Sequence, residues 1–179
     1  VRIGGLTVAM TGANRRALDA AGLDYHTISL HPNDHAGYFP GASQIHLTVH
    51  FGDDGQIYGA QAIGKGGVDK RIDVLATAIR AGMGVTDLID LDLSYSPPYG
   101  SAKDPVNFVG YYAQNVLDGV TRLWYPSQAA EVLETALVLD VRSAKEYATG
   151  HLEGALNIPH TELRERLGEV REAAAGRPI

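Results

Sequence analysis

The chain contains no cysteine among its 179 residues, and this absence excludes several kinds of chemistry at once. Without thiols the chain can form no disulfide, no thiolate nucleophile and no cysteine-ligated metal site. Basic residues are also in the minority, because 15 lysines and arginines face 21 acidic residues for a net charge of -6. Nucleic-acid binding usually needs a basic face, so we expect no nucleic-acid partner.

Long apolar runs are missing as well. No segment approaches the roughly 20 apolar residues that a helix needs to cross a bilayer. The start of the chain has no charged region leading into an apolar run, as a secretory signal would have. We therefore expect no membrane partner and a cytoplasmic location. The first residue is Val1, in what the pattern predicts to be the middle of a strand, so we expect a fragment of a longer protein.

Residues 1–118 carry the pattern of an α+β domain with an antiparallel sheet. Residues 45–51 alternate strictly between apolar and polar, which predicts a strand, and a turn at 53–55 returns the chain as a hairpin. Further strands are predicted at 6–11 and 25–30. Helices are predicted from Asn14, from Asp69 and from Asp104-Pro105, the last because Asp is a preferred cap and Pro suits the first turn.

The pattern changes after a predicted linker at residues 119–126. Residues 137–141 form an apolar run typical of a buried parallel strand, and 155–158 predict a second strand. Helices are predicted from a cap at Ser127, from a capping box at Ser143 and Glu146, and over 161–174. Strands that alternate with helices predict an α/β fold for residues 127–179.

Four segments in order match one family pattern. They are residues 6–12 (LTVAMTG), 31–41 (HPNDHAGYFPG), 67–73 (GVDKRID) and 95–107 (YSPPYGSAKDPVN). Together they resemble the C-terminal dimerisation domain of pyridine nucleotide-disulfide oxidoreductases, and within that superfamily the CoA-disulfide reductases and their NADH oxidase relatives. The resemblance implies a homodimeric parent enzyme that uses FAD and NAD(P)H to reduce CoA disulfide or a related disulfide, persulfide or polysulfide, with oxygen as the alternative acceptor. It implies that the cofactors bind mainly to domains outside this chain, which alone binds none and is inactive.

A second resemblance covers residues 127–179. Residues 139–142 (LDVR), 146–147 (EY), 150–151 (GH), 154–155 (GA) and 157–159 (NIP) resemble the N-terminal half of a rhodanese domain. The catalytic cysteine of that family is expected beyond Pro178. The alternative function is therefore sulfur transfer by the rhodanese unit. We expect Asp140 and Arg142 to form a structural ion pair and His151 to be structural.

The first resemblance also implies site residues. Tyr38 and Tyr95 are expected to be catalytic, since their loops should project toward the active site of the partner subunit. A phenol there can donate a hydrogen bond or a proton to a departing thiolate. Pro97 and Pro98 are expected beside the flavin, where they would stiffen the loop. The alternative is that each tyrosine packs its ring and leaves its hydroxyl in water.

Lys70, Arg71, Lys103 and Asn107 are the expected substrate-binding residues, and the three cations suit the phosphates of CoA. The alternative for the cations is a solvated helix start or a structural ion pair. Residues 64–67 (GKGG) match neither a P-loop nor a dinucleotide fingerprint, so we interpret these glycines as a turn.

Four histidines lie close together in sequence, at positions 31, 35, 46 and 50. His46 and His50 fall on one strand face but stand about 13 Å apart at the usual rise per residue, too far to share an ion. We therefore expect no metal site.

Overall fold

The computed structural model describes residues 1–179, which form two compact units, Val1–Arg122 and Leu123–Ile179. The predicted linker at 119–126 spans the point where the two units divide. No helix in either unit combines the length and the apolar character that crossing a membrane requires.

The first unit is a five-stranded antiparallel sheet with helices α2 and α3 on one face, which confirms the α+β prediction. Its elements are β1 (Arg2–Ile3), β2 (Leu6–Gly12), α1 (Arg15–Ala21), β3 (His26–Leu30), β4 (Ile45–Phe51), β5 (Ile57–Gly64), α2 (Val68–Ala81), a 3-10 helix (Val85–Asp90) and α3 (Pro105–Leu117). The strand order is β1-β2-β5-β4-β3. Helix α2 packs on β2 and β5, and α3 packs on β3.

The core lies between the sheet and helices α2 and α3. The alternating residues Ile45, Leu47, Val49 and Phe51 of β4 are at most 1% exposed and point into it. Their helical counterparts include Val68, Ile72 and Leu75 of α2 with Val106 and Val109 of α3. Full burial of each such side chain contributes about 1.5–3 kcal/mol, so the amphipathic pattern of β4 is what holds the sheet on its helices.

The opposite face of the sheet carries a second apolar group, and we call it the outer sheet face. It is defined by Leu6, Val8 and Met10 of β2, Ile63 of β5 and His46 of β4. The register places His46 opposite Ile63 and Ile63 opposite Val8, so these residues form one row across three strands. The four apolar side chains are 36–54% exposed. Alternation in β2 therefore directs its larger apolar residues away from the core of its own unit.

The helix ends follow the predicted capping chemistry. Asn14 accepts a hydrogen bond from the Ala17 amide at the start of α1. At α3, Asp104 accepts from the amide of Val106, while its own amide donates to the side chain of Asn107, 2.9 Å away. Such reciprocal caps satisfy donors that the first helical turn leaves without partners.

The second unit is a small α/β structure whose strands are shorter than predicted. It contains a 3-10 helix (Pro126–Gln128), α4 (Ala129–Thr135), β6 (Leu139–Asp140), α5 (Ala144–Thr149), β7 (Leu156–Asn157) and α6 (Leu167–Ala174). Strands β6 and β7 pair in parallel over two residues each. The capping box at Ser143 and Glu146 is confirmed.

Two helix predictions in this unit were wrong at their starts. Ser127 lies inside the 3-10 helix and caps nothing, because α4 begins after Gln128 without a side-chain cap. The helix predicted over 161–174 begins only at Leu167. Turn hydrogen bonds, such as Glu162 N to Pro159 O and Arg166 N to Glu162 O, occupy the preceding residues.

The buried imidazole of His50 makes the stability of the first unit dependent on pH. Its Nδ1 lies 2.9 Å from the Thr27 hydroxyl, and its ring meets the edge of Tyr25. Burial lowers the pKa of His50 below its usual 6.5, the positive charge of Arg15 lowers it further, and Asp19 only partly opposes them. The folded state therefore excludes a proton that the unfolded chain accepts.

We predict that the free energy of unfolding falls as the pH drops through about 6.5, where the unfolded imidazole begins to bind a proton. Urea denaturation between about pH 7.5 and 5.5 measures this dependence. His50→Gln, which cannot titrate, should reduce the pH slope, whereas His160→Gln on the exposed surface of the second unit should keep it. Equal slopes in all three proteins would show that His50 does not carry the effect.

Candidate functional site

Two loops of the first unit bring the predicted catalytic tyrosines together. Tyr38 lies in the loop between β3 and β4, and Tyr95 lies in the loop that precedes α3. Their hydroxyl oxygens are 3.1 Å apart although the residues are 57 positions apart in sequence. The amide of Ala36 also donates to the carbonyl oxygen of Gly100, at 3.0 Å, so the two loops are joined through main chain as well.

The tyrosine pair has one proton to offer to a third group. A hydroxyl both donates and accepts, so in the pair one O–H serves the other oxygen and the second O–H stays available. The hydrogen bond with Tyr95 raises the pKa of Tyr38 above its usual 10, and partial desolvation raises it further. Tyr38 therefore keeps its proton at neutral pH. The side chains are 77% and 51% exposed, so they can border a bound molecule but cannot enclose one.

A buried arginine holds both tyrosine loops in place. The guanidinium of Arg71, on α2, is 1% exposed and binds both carboxylate oxygens of Asp104, at 2.8 and 3.3 Å. It also donates to the carbonyl oxygens of Asp34, at 2.7 Å, and Gly67, at 3.1 Å. Asp34 begins the Tyr38 loop and Asp104 ends the Tyr95 loop. One side chain thus fixes an end of each loop.

Position 67 must be glycine, because its backbone lies against the guanidinium of Arg71. Its φ of +65° is a left-handed conformation that favours glycine. A Cβ at this position would also collide with Nη1 of Arg71. The glycine turn therefore serves the arginine, which agrees with its interpretation as turn geometry.

The Tyr38 loop is closed at its base by Asp34. The carboxylate of Asp34 accepts hydrogen bonds from the amide and the hydroxyl of Ser43, both at 2.9 Å, and lies 2.9 Å from Nδ1 of His35. Burial pushes the pKa of Asp34 upward, but the Ser43 hydrogen bonds and the neighbouring His35 outweigh this effect, so the pKa lies below its usual value. An ionised carboxylate therefore ties residue 34 to residue 43 across the loop.

Two of the predicted substrate-binding residues lie in the interior. Arg71 uses its guanidinium for the contacts given above. Asn107 is 7% exposed, and its amide nitrogen donates to the carbonyl oxygens of Leu88 and Leu91, both at 3.0 Å. Side chains that are buried and bonded in this way offer no surface to a CoA phosphate. Their described contacts are structural, and we leave both out of the proposed binding surface.

The other two predicted cations lie nearer the surface. Lys70 places its ammonium 3.5 Å from the carbonyl and hydroxyl oxygens of Ser94, next to Tyr95. Lys103 is exposed, with its ammonium 4.8 Å from the centre of the Tyr111 ring. Both side chains are long and flexible, so these contacts do not prevent them from reaching an anion.

Pro97 and Pro98 lie at the tip of the Tyr95 loop, half-buried and exposed respectively. The turn is closed by the amides of Tyr99 and Gly100, which both donate to the carbonyl oxygen of Ser96, at 2.8 and 3.0 Å. The prolines fix φ within this turn and so limit its movement. Their predicted contact with a flavin remains a prediction.

The role of Arg71 had a signal in the sequence. Positions 68, 71, 72 and 75 lie on one face of a helix, and the other three are Val, Ile and Leu. An arginine on an apolar face is expected to be paired, because a buried unpaired charge is costly. The partner could not be read from the sequence, since Asp104 is 33 residues away.

In the second unit, Asp140 and Arg142 form the predicted ion pair. Arg142 binds both carboxylate oxygens of Asp140 and donates to the carbonyl oxygen of Gly150, at 2.8 Å. The Arg142 hydrogen bond lowers the pKa of Asp140. His151 stacks on Tyr147 with ring centroids 3.6 Å apart, and its Nδ1 lies 2.9 Å from the carbonyl oxygen of Tyr147. The side chains of Arg142 and His151 therefore bond the main chain of the second unit at Gly150 and Tyr147.

We predict that Tyr95→Phe lowers the pKa of Tyr38 toward its ordinary value, because the substitution removes the hydrogen bond that raises it. Titration of tyrosine labelled with 13C at Cζ, followed by NMR, reports each ring separately. Tyr99→Phe, in the same loop, is the matched control and should leave Tyr38 unchanged. A Tyr38 titration that is identical in Tyr95→Phe and the unsubstituted chain would mean that the hydroxyls are not bonded in solution.

Comparison with known proteins gives the class to which this architecture belongs. Residues 2–105 match the family described as pyridine nucleotide-disulphide oxidoreductase, dimerisation domain, and residues 125–178 match the rhodanese-like domain. The first match covers more than half of the chain. The chain therefore belongs to the pyridine nucleotide-disulphide oxidoreductase family, through its dimerisation domain, and it carries a rhodanese-like segment after that domain.

Two relatives match nearly the whole chain, and a third matches about half of it. The structure is similar to reduced CoADR-RHD from Bacillus anthracis, with 46% identity and a TM-score of 0.92 over 94% of this chain and 31% of that one. It is similar to an NAD-dependent persulfide reductase from A. fulgidus, with 40% identity and a TM-score of 0.84 over 94% of this chain and 30% of that one. The coenzyme A disulfide reductase of Staphylococcus haemolyticus is 42% identical over 94 residues, 52% of this chain and 21% of the relative. The chain thus spans less than a third of these proteins.

Proposed function

We propose that this chain is the dimerisation and rhodanese-like part of an enzyme that uses FAD and NAD(P)H to reduce CoA disulfide or a related persulfide or polysulfide. The balanced reaction with a disulfide is RSSR + NAD(P)H + H⁺ → 2 RSH + NAD(P)⁺. In this proposal the chain supplies no redox group. It joins two subunits and presents Tyr38 and Tyr95 to the active site of the partner.

The observation that carries the proposal is the exposed tyrosine pair on two braced loops. The loops are fixed by Arg71 and Asp34, yet the hydroxyls face solvent and have no role in the core. A rigid polar group that the fold does not need is typical of a site completed by another molecule. The two relatives that match 94% of this chain are a CoADR-RHD and an NAD-dependent persulfide reductase, which supports a sulfur acceptor over oxygen.

The tyrosine pair fits the protonation that this reaction needs. When a disulfide bond is broken, one sulfur leaves as a thiolate that must be stabilised or protonated. Tyr38 is protonated at neutral pH, as any tyrosine with a pKa of 10 or above is, so the pair can donate a hydrogen bond or a proton to that sulfur. Lys70 and Lys103 are proposed to attract the phosphates of CoA, as flexible point charges near the same loops.

The outer sheet face is the surface we propose for dimerisation. Its four exposed apolar side chains lie opposite the core and side by side, which is unusual for a surface left in water. The occupant we propose is a second copy of the chain, because this domain matches a dimerisation domain. Two-fold symmetry would bring the same face of each copy together, so that each subunit completes the site of the other.

Two alternatives remain for the parent protein. An NADH oxidase that uses oxygen is a weaker candidate, since the likeness to the water-forming NADH oxidase from Lactobacillus brevis is at 19% identity and shows the fold alone. Sulfur transfer by the rhodanese-like segment is favoured by the match at residues 125–178. It requires a cysteine that this chain does not contain.

The activity is tested on the full-length parent protein. We predict a flavin spectrum and oxidation of NADH or NADPH that depends on CoA disulfide, persulfide or polysulfide. Tyr95→Phe should lower kcat by about 10²-fold, within the range of general acid catalysis, and Tyr99→Phe in the same loop should leave it unchanged. Oxidation by oxygen alone would identify an oxidase instead, and an unchanged rate in Tyr95→Phe would remove the tyrosine from the mechanism.

The dimer is tested on the 179-residue chain by sedimentation equilibrium. We predict a mass twice the 19.1 kDa of the monomer. Val8→Asp, in the centre of the outer sheet face, should shift the equilibrium to monomer, because a desolvated charge opposes association. Leu133→Asp, at a similarly exposed leucine of the second unit, should not. A dimer that Val8→Asp leaves intact would place the interface elsewhere.

A further inference from the structure

Two histidines on the outer sheet face point their ring nitrogens at one another. Leu30 of β3 is registered with Leu47 of β4, so the next pair along the ladder is His31 with His46. Their Nδ1 atoms are 2.8 Å apart, and the ring centroids are 4.9 Å apart with an angle of 65° between the planes. Both side chains belong to exposed residues. His50, on the same strand face as His46, is turned to the buried hydroxyl of Thr27 and takes no part in the pair.

The backbone beneath this pair is fixed on both sides. The amide of Ile45 donates to the carbonyl oxygen of Pro32 at 2.8 Å, and Asn33 forms a bridge with Gln44 one step further on. Directly opposite residues of antiparallel strands have Cβ atoms about 4.5–5.5 Å apart. The two imidazoles are therefore held in register by main-chain hydrogen bonds, and their convergence does not depend on a flexible loop.

We propose that His31 and His46 form a bidentate chelate for a divalent transition metal of the Zn²⁺ or Ni²⁺ type. Two imidazole ligands at about 2.1 Å from one ion, at angles between 90° and tetrahedral, have nitrogen atoms about 3.0–3.4 Å apart. Chelation requires the pair to open to that separation and both rings to turn, so that the two Nδ1 lone pairs point at one ion rather than at each other. In the free chain one Nδ1–H donates to the other Nδ1. With the ion bound, both imidazoles are neutral and carry their proton on Nε2.

The surroundings of the two histidines predict a solvent-accessible site with moderate affinity for the ion. The concavity beside His46 is lined by Ser43, Gln44 and Lys65 among others, and has a volume of about 520 Å³. The one beside His31 is lined by Ser29, Leu30, Pro32, Phe108 and Tyr112. Neither lining contains a carboxylate. The remaining coordination positions would be filled by water or by the amide oxygen of Gln44, and the positive charge of Lys65 weakens binding.

The test is isothermal titration of the 179-residue chain with ZnCl₂ and, separately, with NiCl₂. The expected result is one ion per chain. His31→Gln and His46→Gln should each weaken binding by about tenfold or more, because one imidazole cannot chelate. Lys65→Gln should tighten binding several-fold by removing the nearby charge. His26→Gln is the matched control on β3: its imidazole bonds the exposed carboxylate of Asp53, and its loss should leave the affinity unchanged.

Each result decides the proposal. Both histidine variants are at exposed positions, and circular dichroism of each would confirm the fold before titration. Heat of binding that persists in His31→Gln and His46→Gln, or that disappears in His26→Gln, would overturn the site. So would the absence of binding by the unsubstituted chain at millimolar metal, which would leave the pair as a hydrogen bond alone. His46 also belongs to the proposed dimer surface, so the metal titration is repeated on Val8→Asp, which should bind one ion per chain as a monomer. The two proposals can then fail separately.

Discussion

The arrangement of the first unit depends on the buried ion pair between Arg71 and Asp104. Removing two charges from water costs several kcal/mol for each ion, and their attraction compensates only where the geometry and the remaining hydrogen bonds are good. Here the guanidinium contacts both oxygens of one carboxylate and two carbonyl oxygens. Asp104 also caps α3. The pair therefore connects helix α2, the start of α3 and both loops that carry the tyrosines.

This constraint explains how an exposed site can also be a rigid one. Tyr38 and Tyr95 have little packing of their own, and loops on a protein surface are usually mobile. The ends of their loops are nevertheless fixed from beneath by Arg71, and the Tyr38 loop is closed by Asp34 and Ser43. Preorganised polar groups lose little freedom when a partner or substrate arrives. The buried Arg71 guanidinium thus determines where the hydroxyls of Tyr38 and Tyr95 lie at the surface.

Local features of the fold could be predicted from the sequence. The alternation in β4 and the Asp104-Pro105 helix start depend on neighbours within a few residues, and the structure has both. The hydrogen-bond partners of Arg71 could not be predicted, because Asp104 and Asp34 are 33 and 37 residues away in sequence. The contact between the two tyrosine hydroxyls has the same origin. Strands β6 and β7 are shorter than their apolar runs predicted, since each pairs with the other over only two residues.

The two faces of the sheet have different roles in this unit. One face buries the core against α2 and α3, and the other presents apolar side chains beside the His31–His46 pair. A single strand such as β4 serves both, because successive side chains point to opposite faces. The proposed dimer surface and the proposed metal ligands therefore follow from the same alternation that builds the core.

The most direct test of this account is the Tyr38 titration in Arg71→Lys, measured by NMR with the tyrosine Cζ carbon labelled. A lysine keeps the charge but cannot bind Asp104 through two nitrogens while also reaching Asp34 and Gly67. The account predicts that the raised pKa of Tyr38 returns toward its ordinary value while circular dichroism still reports a folded sheet. A folded Arg71→Lys protein in which the Tyr38 pKa remains raised would contradict the claim that Arg71 positions the tyrosine pair.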